Sequence, residues 1–270
     1  MSQQVRAVER ALDILLCFSI DKPTLSLTEI AEQVGMHKST THRLLATLES
    51  KRFITRDKTN GMYQLGFLFI ELSSILLHNL NVRGWSLPYL EQLSQQSGET
   101  VDLAILNNGH VVYLQVVESS QRVKIAAAVG EQLPSFCTAS GKAFLAFLPE
   151  EYARKTLNQE LTKYTEYTVV SPDELTKDLR ETRERGFAIS EQEYEKDIHA
   201  VAAPIMDASG CPIAAIAIVG PSYRMPHDRM LKFGQMIRNT ADLIVRDVGL
   251  ATLSVILPRT GSPCVDGHTE

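Results

Sequence analysis

The sequence lacks the marks of several protein classes. Its longest apolar stretches, residues 213–219 and the broken run 67–77, fall short of the roughly 18 residues that span a membrane. The N-terminus has no charged region followed by an apolar run and a small-residue cleavage site, so we expect a soluble protein of the cytoplasm. The four cysteines are far apart, which excludes a paired zinc-ligand spacing and a dense disulfide framework.

A phosphate-binding loop is also missing. Gly141 and Lys142 resemble the end of such a loop, but the motif needs a glycine five positions before Gly141 and a serine or threonine after Lys142. Those positions hold Phe136 and Ala143. The sequence therefore supports no nucleotide site at this point.

The histidines and glutamates form no catalytic or metal-binding pattern. No histidine pair has the HExxH spacing, so we expect His110, His199 and His227 at the surface or hydrogen-bonded in the core. The alternating glutamates within residues 191–195 have no neighbouring base or nucleophile, and we expect them on a solvated surface. We therefore predict no enzyme, no cofactor and no metal.

Charge is unevenly distributed along the 270 residues, although the formal net charge is only −5. Residues 1–66 hold nine basic and seven acidic side chains, whereas the remainder holds 18 and 25. Within residues 38–58 there are six basic side chains and two acidic ones. A length of 270 residues and a hydrophobic content of 44% allow one large or two moderate domains. A small basic module is thus joined to an acidic body.

The basic module begins with two predicted helices. Residues 5–18 carry apolar residues at helical spacing, and these should form the inner face: Val8, Leu12, Leu15 and Leu16. Ser26 and Glu29 have the spacing of a capping box ahead of a second helix, which should end at Gly35.

A third helix and a hairpin complete this module. Residues 39–50 alternate between an apolar face with Leu44, Leu45 and Leu48 and a polar face. Residues 53–55 and 62–65 are typical of two strands that reverse at Asn60 and Gly61. Three helices followed by a hairpin predict a winged helix-turn-helix domain over residues 5–66.

This arrangement predicts DNA binding. The first half of the recognition helix enters the major groove, where short polar and cationic side chains can reach base edges and phosphates. The residues expected to contact double-stranded operator DNA are Lys38, Ser39, Thr40, His42, Arg43, Thr47, Lys51, Arg56 and Lys58. The alternative is three ordinary packed helices in which Ser39 and Thr40 are only caps.

A linker helix is predicted over residues 67–81. Apolar residues recur there at helical spacing, but too many neighbours are apolar for one domain to bury them all. We expect this helix to pack against a partner subunit and make the protein a homo-oligomer, either a dimer or a dimer of dimers. Burial against the same chain is the alternative.

The remaining chain alternates strands and helices. Strands are predicted at residues 100–106, 111–117, 123–129, 187–190, 199–206 and 213–219, and helices at 140–148, 172–185 and 227–248. Tight-turn residues at 108–109 and 209–210 favour antiparallel pairing. The prediction is an α/β domain with a mainly antiparallel sheet over residues 82–250 and a loose tail over 251–270.

The whole sequence resembles the IclR family of regulators over residues 5–250. The likeness lies in "RALDILLCF", "LSLTEIAEQVGMHKSTTHRLLATLES" and "YQLG" in the first module, and in "GEQLPSFCTASGKAFLAFLP" and "GFAISEQEYEKDIHAVAAPIMD" in the second. Met206 departs from the family pattern, which has an aromatic residue or histidine there. The resemblance implies a transcriptional regulator of a catabolic operon with a GAF-like effector domain.

The resemblance also implies an effector pocket beside the helix that begins near Ser140. Carried over position by position, the pocket residues are Ile125, Leu133, Ala139, Ser140, Gly141, Ser190, Ala200, Ala217 and Val219. A small organic effector such as a carboxylate or an aromatic metabolite is expected, in a less polar pocket than those of members that bind small oxoacids. Two alternatives stay open: a C-terminal domain that only oligomerises, or an enzyme-like metabolite-binding domain.

Overall fold

A computed structural model of the chain describes residues 5–19, 22–72, 82–125, 127–207 and 209–248. Two compact units make up the chain, Met1–His78 and Asn79–Glu270, and each has its own hydrophobic core. Among the described residues, no helix is both long and apolar enough to cross a membrane. The division between the units falls within the predicted linker.

Three helices form the body of the N-terminal unit: α1 (Arg6–Leu16), α2 (Leu27–Gln33) and α3 (Lys38–Ser50). The predicted capping box is present at α2. The Ser26 hydroxyl accepts from the Glu29 amide at 3.3 Å, and the Glu29 carboxylate accepts from the Ser26 amide at 2.8 Å. Gly35, with φ of +62°, makes the turn to α3. The predicted helix-turn-helix is confirmed.

Helix α1 packs with a different face from the one predicted. Ile14 is its buried residue, and Leu15 packs against the same core. Val8, Leu12 and Leu16, which the pattern places on the inner face, are 57%, 55% and 81% exposed. Only one narrow stripe of so short a helix can face its neighbours, so its second apolar stripe stays exposed in this unit.

The wing is an antiparallel sheet in the order β1-β3-β2. β2 (Ile54–Arg56) and β3 (Tyr63–Leu65) form the predicted hairpin, and Gly61 in its turn has φ of +73°. β1 (Thr24–Leu25) pairs with the other edge of β3 and was not predicted. Two residues are too few to show the alternation that identifies a strand in sequence.

The predicted linker helix begins with a helical turn at residues 68–72, and residues 73–81 of that prediction lie outside the described residues. The next helix, α4 (Val82–Ser97), contains Pro88, where the sequence pattern changes character. Leu90 and Leu93 of this helix are fully buried against the sheet of the C-terminal unit. The favourable free energy of burying these two side chains offsets the cost of the helix hydrogen bond that is lost because proline has no N–H.

A six-stranded sheet forms the centre of the C-terminal unit, in the order β6-β5-β4-β9-β8-β7. Its strands are β4 (Thr100–Asn107), β5 (His110–Val117), β6 (Gln132–Pro134), β7 (Ala188–Glu191), β8 (Ile198–Met206) and β9 (Pro212–Pro221). Every described pairing is antiparallel, which confirms the predicted sheet type. Asn108 and Gly109, both with positive φ, form the predicted turn between β4 and β5.

The strand predicted over residues 123–129 is wrong. The described part of this segment is loop, and β6 pairs with β5 instead. Side chains bind two carbonyls of this loop: Thr100 Oγ1 donates to the Ile125 carbonyl at 3.0 Å, and Arg224 Nη2 donates to the Val123 carbonyl at 2.9 Å. Apolar composition alone does not reveal which partner a backbone carbonyl finds.

Among the described residues, five helical segments follow the β4–β5 hairpin: α5 (Ala139–Phe147), α6 (Glu150–Leu157), α7 (Pro172–Arg185), a short 3₁₀ helix (Ser222–Arg224) and α8 (His227–Val248). The predicted helices correspond to α5, α7 and α8, whereas α6 was missed. The predicted loose tail over residues 251–270 lies outside the part of the chain that the structure describes.

The two faces of the six-stranded sheet differ in side-chain size. One face carries large aliphatic side chains such as Leu103, Ile205 and Ile216, which form a core with α4 and α8. The other face carries the small residues Ala188, Ala202 and Ala217, which pack with Ala139 and Ala143 of α5. Because successive residues of a strand point to opposite faces, β8 and β9 can line a packed core and a roomier face at once.

Candidate functional site

The exposed side of α3 is polar and cationic. Of the six residues predicted to contact DNA from this helix, Thr40 is half-buried and the other five are exposed: Lys38, Ser39, His42, Arg43 and Thr47. Leu45 and Leu48 lie on the opposite side, in the core of the unit. The helix therefore presents its polar side to solvent while its apolar side holds it in place.

The N-terminus of α3 is capped by His37, whose side chain makes no capping hydrogen bond. Ser39 and Thr40 lie inside the first turn, so the alternative in which they serve only as caps is wrong. Ser39 Oγ lies 3.3 Å from His37 Nδ1. The first amides of a helix have no acceptor within the helix, and together with the helix dipole they favour a phosphate group.

The other predicted cations lie at the end of α3 and in the wing. Lys51 is the C-cap residue of α3 and Lys58 lies in the β2–β3 turn, and both are exposed. Arg56 Nε donates to the Gly61 carbonyl at 3.3 Å, and its guanidinium lies 5.5 Å from the centre of the Tyr63 ring. Within the described ranges these three cations form no ion pair, so their charge is not neutralised.

A pocket lies in the C-terminal unit between the alanine-bearing face of the sheet and the first turn of α5. It encloses about 630 Å³ of empty space, its open mouth included. Eight of the nine residues predicted to bind an effector line this pocket: Ile125, Leu133, Ala139, Ser140, Ser190, Ala200, Ala217 and Val219. They come from separate strands, a loop and a helix, so only the fold brings them together.

Gly141, the ninth predicted residue, does not line the pocket. A Cβ at this position would lie 2.1 Å from the Ser135 carbonyl oxygen, so α5 can pack this closely only with glycine here. The Gly141 amide donates to Thr138 Oγ1, the N-cap of α5, at 3.3 Å. The residue positions the helix, and its prediction as a ligand contact is corrected.

The pocket also contains residues that the sequence analysis missed: Asp102, Tyr113, Ala127, Glu131, Cys137, Thr138, Tyr194, Glu195 and Ile198. Three of them are acidic, whereas no lysine, arginine or histidine of the described residues lines the pocket. One signal was present in the sequence, because Asp102 interrupts the apolar strand of residues 100–106. Aspartate is almost never fully buried unless it is paired.

Asp102 has an unusual environment. It is only 1% exposed, and neither carboxyl oxygen has a hydrogen-bond partner among the described residues. Its neighbours across the sheet are Val116 on β5 and Ala217 on β9, which are both apolar. Because burial disfavours the charged form, the pKa of Asp102 is raised to about 8. The carboxyl group is therefore mostly protonated at neutral pH.

A buried ion group lies beside the pocket. Lys142 Nζ of α5 donates to Asp178 at 2.7 Å and to Glu193 at 2.5 Å. Burial lowers the pKa of Lys142, but the carboxylates of Glu193 and Asp178 outweigh this effect and hold the pKa above its usual value. Lys142 thus connects α5 to the loop that contains Glu193. The helix supplies Ser140 to the pocket, and the loop supplies Tyr194.

Glu193 corrects a further expectation. It belongs to the glutamates predicted on a solvated surface, yet it is 6% exposed and paired with Lys142. Burial raises the pKa of Glu193, although Lys142 opposes this shift. Alternation in sequence did not reveal this partner, which is 51 residues away in the chain.

The three histidines considered above lie at the surface or close to a polar partner. His199 Nδ1 lies 2.9 Å from the Met225 carbonyl oxygen, and His227 Nδ1 lies 3.5 Å from Glu191. His110 is exposed at the start of β5, in the β4–β5 hairpin. In the described part of the chain, no group of three or more histidine, cysteine, aspartate or glutamate residues could hold a metal ion.

These features together define a class of protein. A winged helix-turn-helix unit with an exposed cationic helix is joined in one chain to an α/β unit with a pocket. This combination is that of a DNA-binding transcriptional regulator.

Comparison with known proteins gives the family. Residues 7–58 match the IclR helix-turn-helix domain, and residues 75–246 match the bacterial transcriptional regulator IclR C-terminal domain. The transcriptional repressor IclR of Escherichia coli K12 is 35% identical over 241 residues, which cover 88% of each chain. The acetate operon repressor of Salmonella typhimurium LT2 is 34% identical with the same coverage. The chain belongs to the IclR family of bacterial transcriptional regulators.

A solved structure agrees with this assignment. The crystal structure of an IclR transcriptional regulator from Alicyclobacillus acidocaldarius is 29% identical and has a TM-score of 0.79. The match covers 92% of this chain and 100% of that one. The similarity therefore includes both units.

Proposed function

We propose that the protein represses a catabolic operon by binding operator DNA through α3 and the wing, and that a small organic effector in the pocket controls this binding. The named relatives support repression, because both are repressors and one is that of the acetate operon. The site of action would be the bacterial cytoplasm, where operator DNA lies.

The DNA contacts follow from exposure and charge. Arg43 lies on the exposed side of α3, where a guanidinium can donate to a guanine edge in the major groove. Lys51 and Lys58 lie at the end of α3 and in the wing, where they can contact phosphates without reading the sequence. Exposed cations at both places support one DNA-binding face on this unit.

Pairing of subunits is part of the proposal. One winged module rarely suffices for a specific site without a second half-site. The N-terminal unit leaves apolar side chains exposed on or next to α1 and in the segment after the wing, including Val5, Val8, Leu12, Leu16, Phe67, Ile70 and Leu72. We infer that a second copy of the chain covers these residues, and that the protein is a dimer or a dimer of dimers.

The pocket carries the effector part of the proposal. The observation that supports it is the convergence of eight predicted residues from distant parts of the chain on one cavity. Ala139 and Ser140 are the first two residues of α5, where helix amides favour a carboxylate or another oxyanion. Ala200, Ala217 and Val219 make the sheet side of the pocket apolar. A small acid with an apolar body fits this lining.

An effector screen tests the pocket. A ligand at a hundredfold its Kd should stabilise the protein by about 2.7 kcal/mol, and it should change operator affinity by a coupling energy of about 1 to 3 kcal/mol. Ser140→Trp should fill the pocket, abolish both effects and leave DNA binding without ligand intact. Ser120→Trp, at an exposed serine outside the lining, is the matched control.

The outcomes separate the alternatives. A C-terminal unit that only oligomerises would show no stabilisation with any compound. An unchanged ligand response in folded Ser140→Trp would show that the proposed site is wrong.

Light scattering tests the pairing. Leu12→Glu with Leu16→Glu should shift the mass toward the monomer, because charged residues cannot be buried in an apolar contact at low cost. Leu72→Glu with Leu76→Glu tests the linker in the same way, although Leu76 lies outside the described residues. An unchanged mass in both double variants would exclude these contacts.

A further inference from the structure

The position of Asp102 in the fold directs its carboxyl group to the pocket. It lies within β4, which pairs with β5 on one side and β9 on the other. Its cross-strand neighbour Ala217 packs against the first turns of α5 and also lines the pocket. Neither Ala217 nor Val116 has a side chain that can form a hydrogen bond. The sheet therefore surrounds this carboxyl group with apolar side chains and leaves it facing the cavity.

A comparison with Asp207 shows how a buried aspartate is usually satisfied. Asp207 is 5% exposed, and its Oδ1 accepts hydrogen bonds from the Ser209 amide, the Ser209 hydroxyl and the Cys211 amide. Asp102 is at least as buried, yet neither of its oxygens has a partner within the described ranges. Because a buried polar group without a partner is destabilising, a ligand that forms a hydrogen bond with Asp102 would gain from satisfying it.

The charge of the lining indicates what that partner brings. Asp102, Glu131 and Glu195 all line the pocket, and in the part of the chain that the structure describes no cationic side chain does. Lys142, the buried cation nearby, already donates to two carboxylates. At neutral pH the protonated carboxyl group of Asp102 offers one O–H donor and one carbonyl acceptor. A ligand hydroxyl group can both donate and accept and therefore matches this group, whereas a ligand ammonium group needs the carboxylate form as its acceptor.

We propose that Asp102 determines effector specificity: it accepts a hydrogen bond from a hydroxyl or ammonium group of an effector whose acidic group lies at the first turn of α5. This inference rests on the proposed effector pocket and adds to it the chemistry of the ligand. The effector class is thus a hydroxy acid or an amino acid with an apolar body.

A hydroxyl group and an ammonium group of the ligand should have different effects on the ionisation of Asp102. With its pKa raised to about 8 by burial, the carboxyl group is mostly neutral at pH 7 and can accept from a hydroxyl group without a change of charge. An ammonium group would instead favour the carboxylate, so that Asp102 releases its proton to solvent as the ligand binds. The other titratable groups in the lining are Tyr113, Glu131, Cys137, Tyr194 and Glu195. Burial also raises the pKa of Tyr113 and Tyr194, and that of Cys137 to about 12, so these three stay neutral at pH 7.

Matched probes test the proposal by isothermal titration calorimetry on the full chain. One set is benzoate, 4-hydroxybenzoate and 4-(aminomethyl)benzoate, and the other is pentanoate, 5-hydroxypentanoate and 5-aminopentanoate. In at least one set, a donor-bearing member should bind at least about tenfold more tightly than its parent acid, the effect of one good hydrogen bond. Titration in two buffers of different ionisation enthalpy should show proton release only for the ammonium members.

Two substitutions assign the preference to Asp102. Asp102→Leu should reduce it to less than about twofold while the parent acids still bind. Asp102→Asn has nearly the same shape and keeps an acceptor, so it should retain the preference for a hydroxyl member and lose that for an ammonium member. Glu184→Gln, at an exposed carboxylate outside the pocket lining, is the control and should preserve both. Glu195→Gln removes a carboxylate from the lining itself and separates the Asp102 contact from the overall charge of the lining.

Any other outcome would contradict the inference, and the pattern of results would show which part of it is wrong. If the acids bind and Ser140→Trp blocks them, but the donor gives no preference or the preference survives in Asp102→Leu, Asp102 has no such role and the effector pocket stands. An equal loss in Glu195→Gln would assign the effect to the overall charge of the lining. If no probe binds, or if binding survives Ser140→Trp, the proposed pocket fails, and this inference fails with it.

Discussion

The two units place their proposed functional residues in opposite environments. In the N-terminal unit these residues are mostly exposed cations and short polar side chains, such as Arg43 and Lys51, on the surface of helices with an apolar core. In the C-terminal unit they are buried, and Asp102 and Lys142 are 1% and 2% exposed. DNA is a large polyanion that can meet only a surface, whereas a small effector can be enclosed.

In the N-terminal unit, a functional residue can therefore be changed without a change in stability. In the C-terminal unit, the same kind of change affects both function and stability. Truncation of an exposed cation removes a DNA contact and leaves the core of its unit intact. Substitution of a buried polar residue changes the pocket and also the free energy of unfolding. Variants in each unit can therefore test whether the functional residues also contribute to stability.

Lys142→Met should have the largest effect. It leaves Asp178 and Glu193 beside one another without their cation, and the loss of one partner from a buried ion group costs about 3–5 kcal/mol. Urea unfolding followed by fluorescence measures this, because Trp85 is the single tryptophan and packs against the core of the C-terminal unit. Lys155→Met is the control: this exposed lysine pairs with Glu151 at 3.7 Å, and its loss should cost below about 1 kcal/mol. Equal losses in the two variants would contradict a buried role for Lys142.

Asp102→Asn should change how stability depends on pH. The folded state raises the pKa of Asp102 from its usual value of 3.8 to about 8, so the folded protein binds this proton more tightly than the unfolded chain does. This contribution to stability is complete below pH 3.8 and is lost as the pH rises toward 8. Between pH 5 and pH 7 the variant should gain about 2 kcal/mol relative to the parent. The same Trp85 fluorescence reports it, with Glu195→Gln as the control. Parallel pH curves for parent and variant would show that Asp102 is ionised in the folded protein.

Arg43→Ala should lower operator affinity by about 1–3 kcal/mol and leave the unfolding curve unchanged, because Arg43 is exposed and forms no ion pair within the described residues. Lys51→Ala should weaken operator and scrambled duplexes equally, since a phosphate contact does not depend on base sequence. Gel-shift titrations on both duplexes measure the two effects. Equal losses on both duplexes for Arg43→Ala would remove its role in reading bases.

Ser26→Ala should have the smallest effect, a loss of about 1 kcal/mol from the N-terminal unit, because it removes the capping box of α2. Scanning calorimetry follows this unit, which contains no tryptophan. Ser50→Ala, at an exposed serine in the last turn of α3, is the matched control. If both variants melt together with the parent, the cap contributes nothing measurable to this unit.

The sequence predicted the N-terminal unit well because its signals are local. The Ser26–Glu29 spacing, the glycine at the turn and the period of α3 lie within a few residues of the structure they specify. The face of α1 was wrong, because two apolar stripes compete on it and only the packing decides between them. The pocket in the second unit came from family resemblance, and residue patterns alone did not indicate it.

The sequence alone predicts the three helices of the N-terminal unit, the antiparallel hairpins and the separation of a basic module from an acidic body. It does so because capping, turn chemistry and periodicity act over short stretches of chain. Only the tertiary structure shows that Asp102 faces a cavity with no hydrogen-bond partner among the described residues, that Lys142 pairs with Glu193, and that the described part of the 123–129 segment is loop. These facts depend on strand register and on contacts between distant residues, which no local pattern encodes.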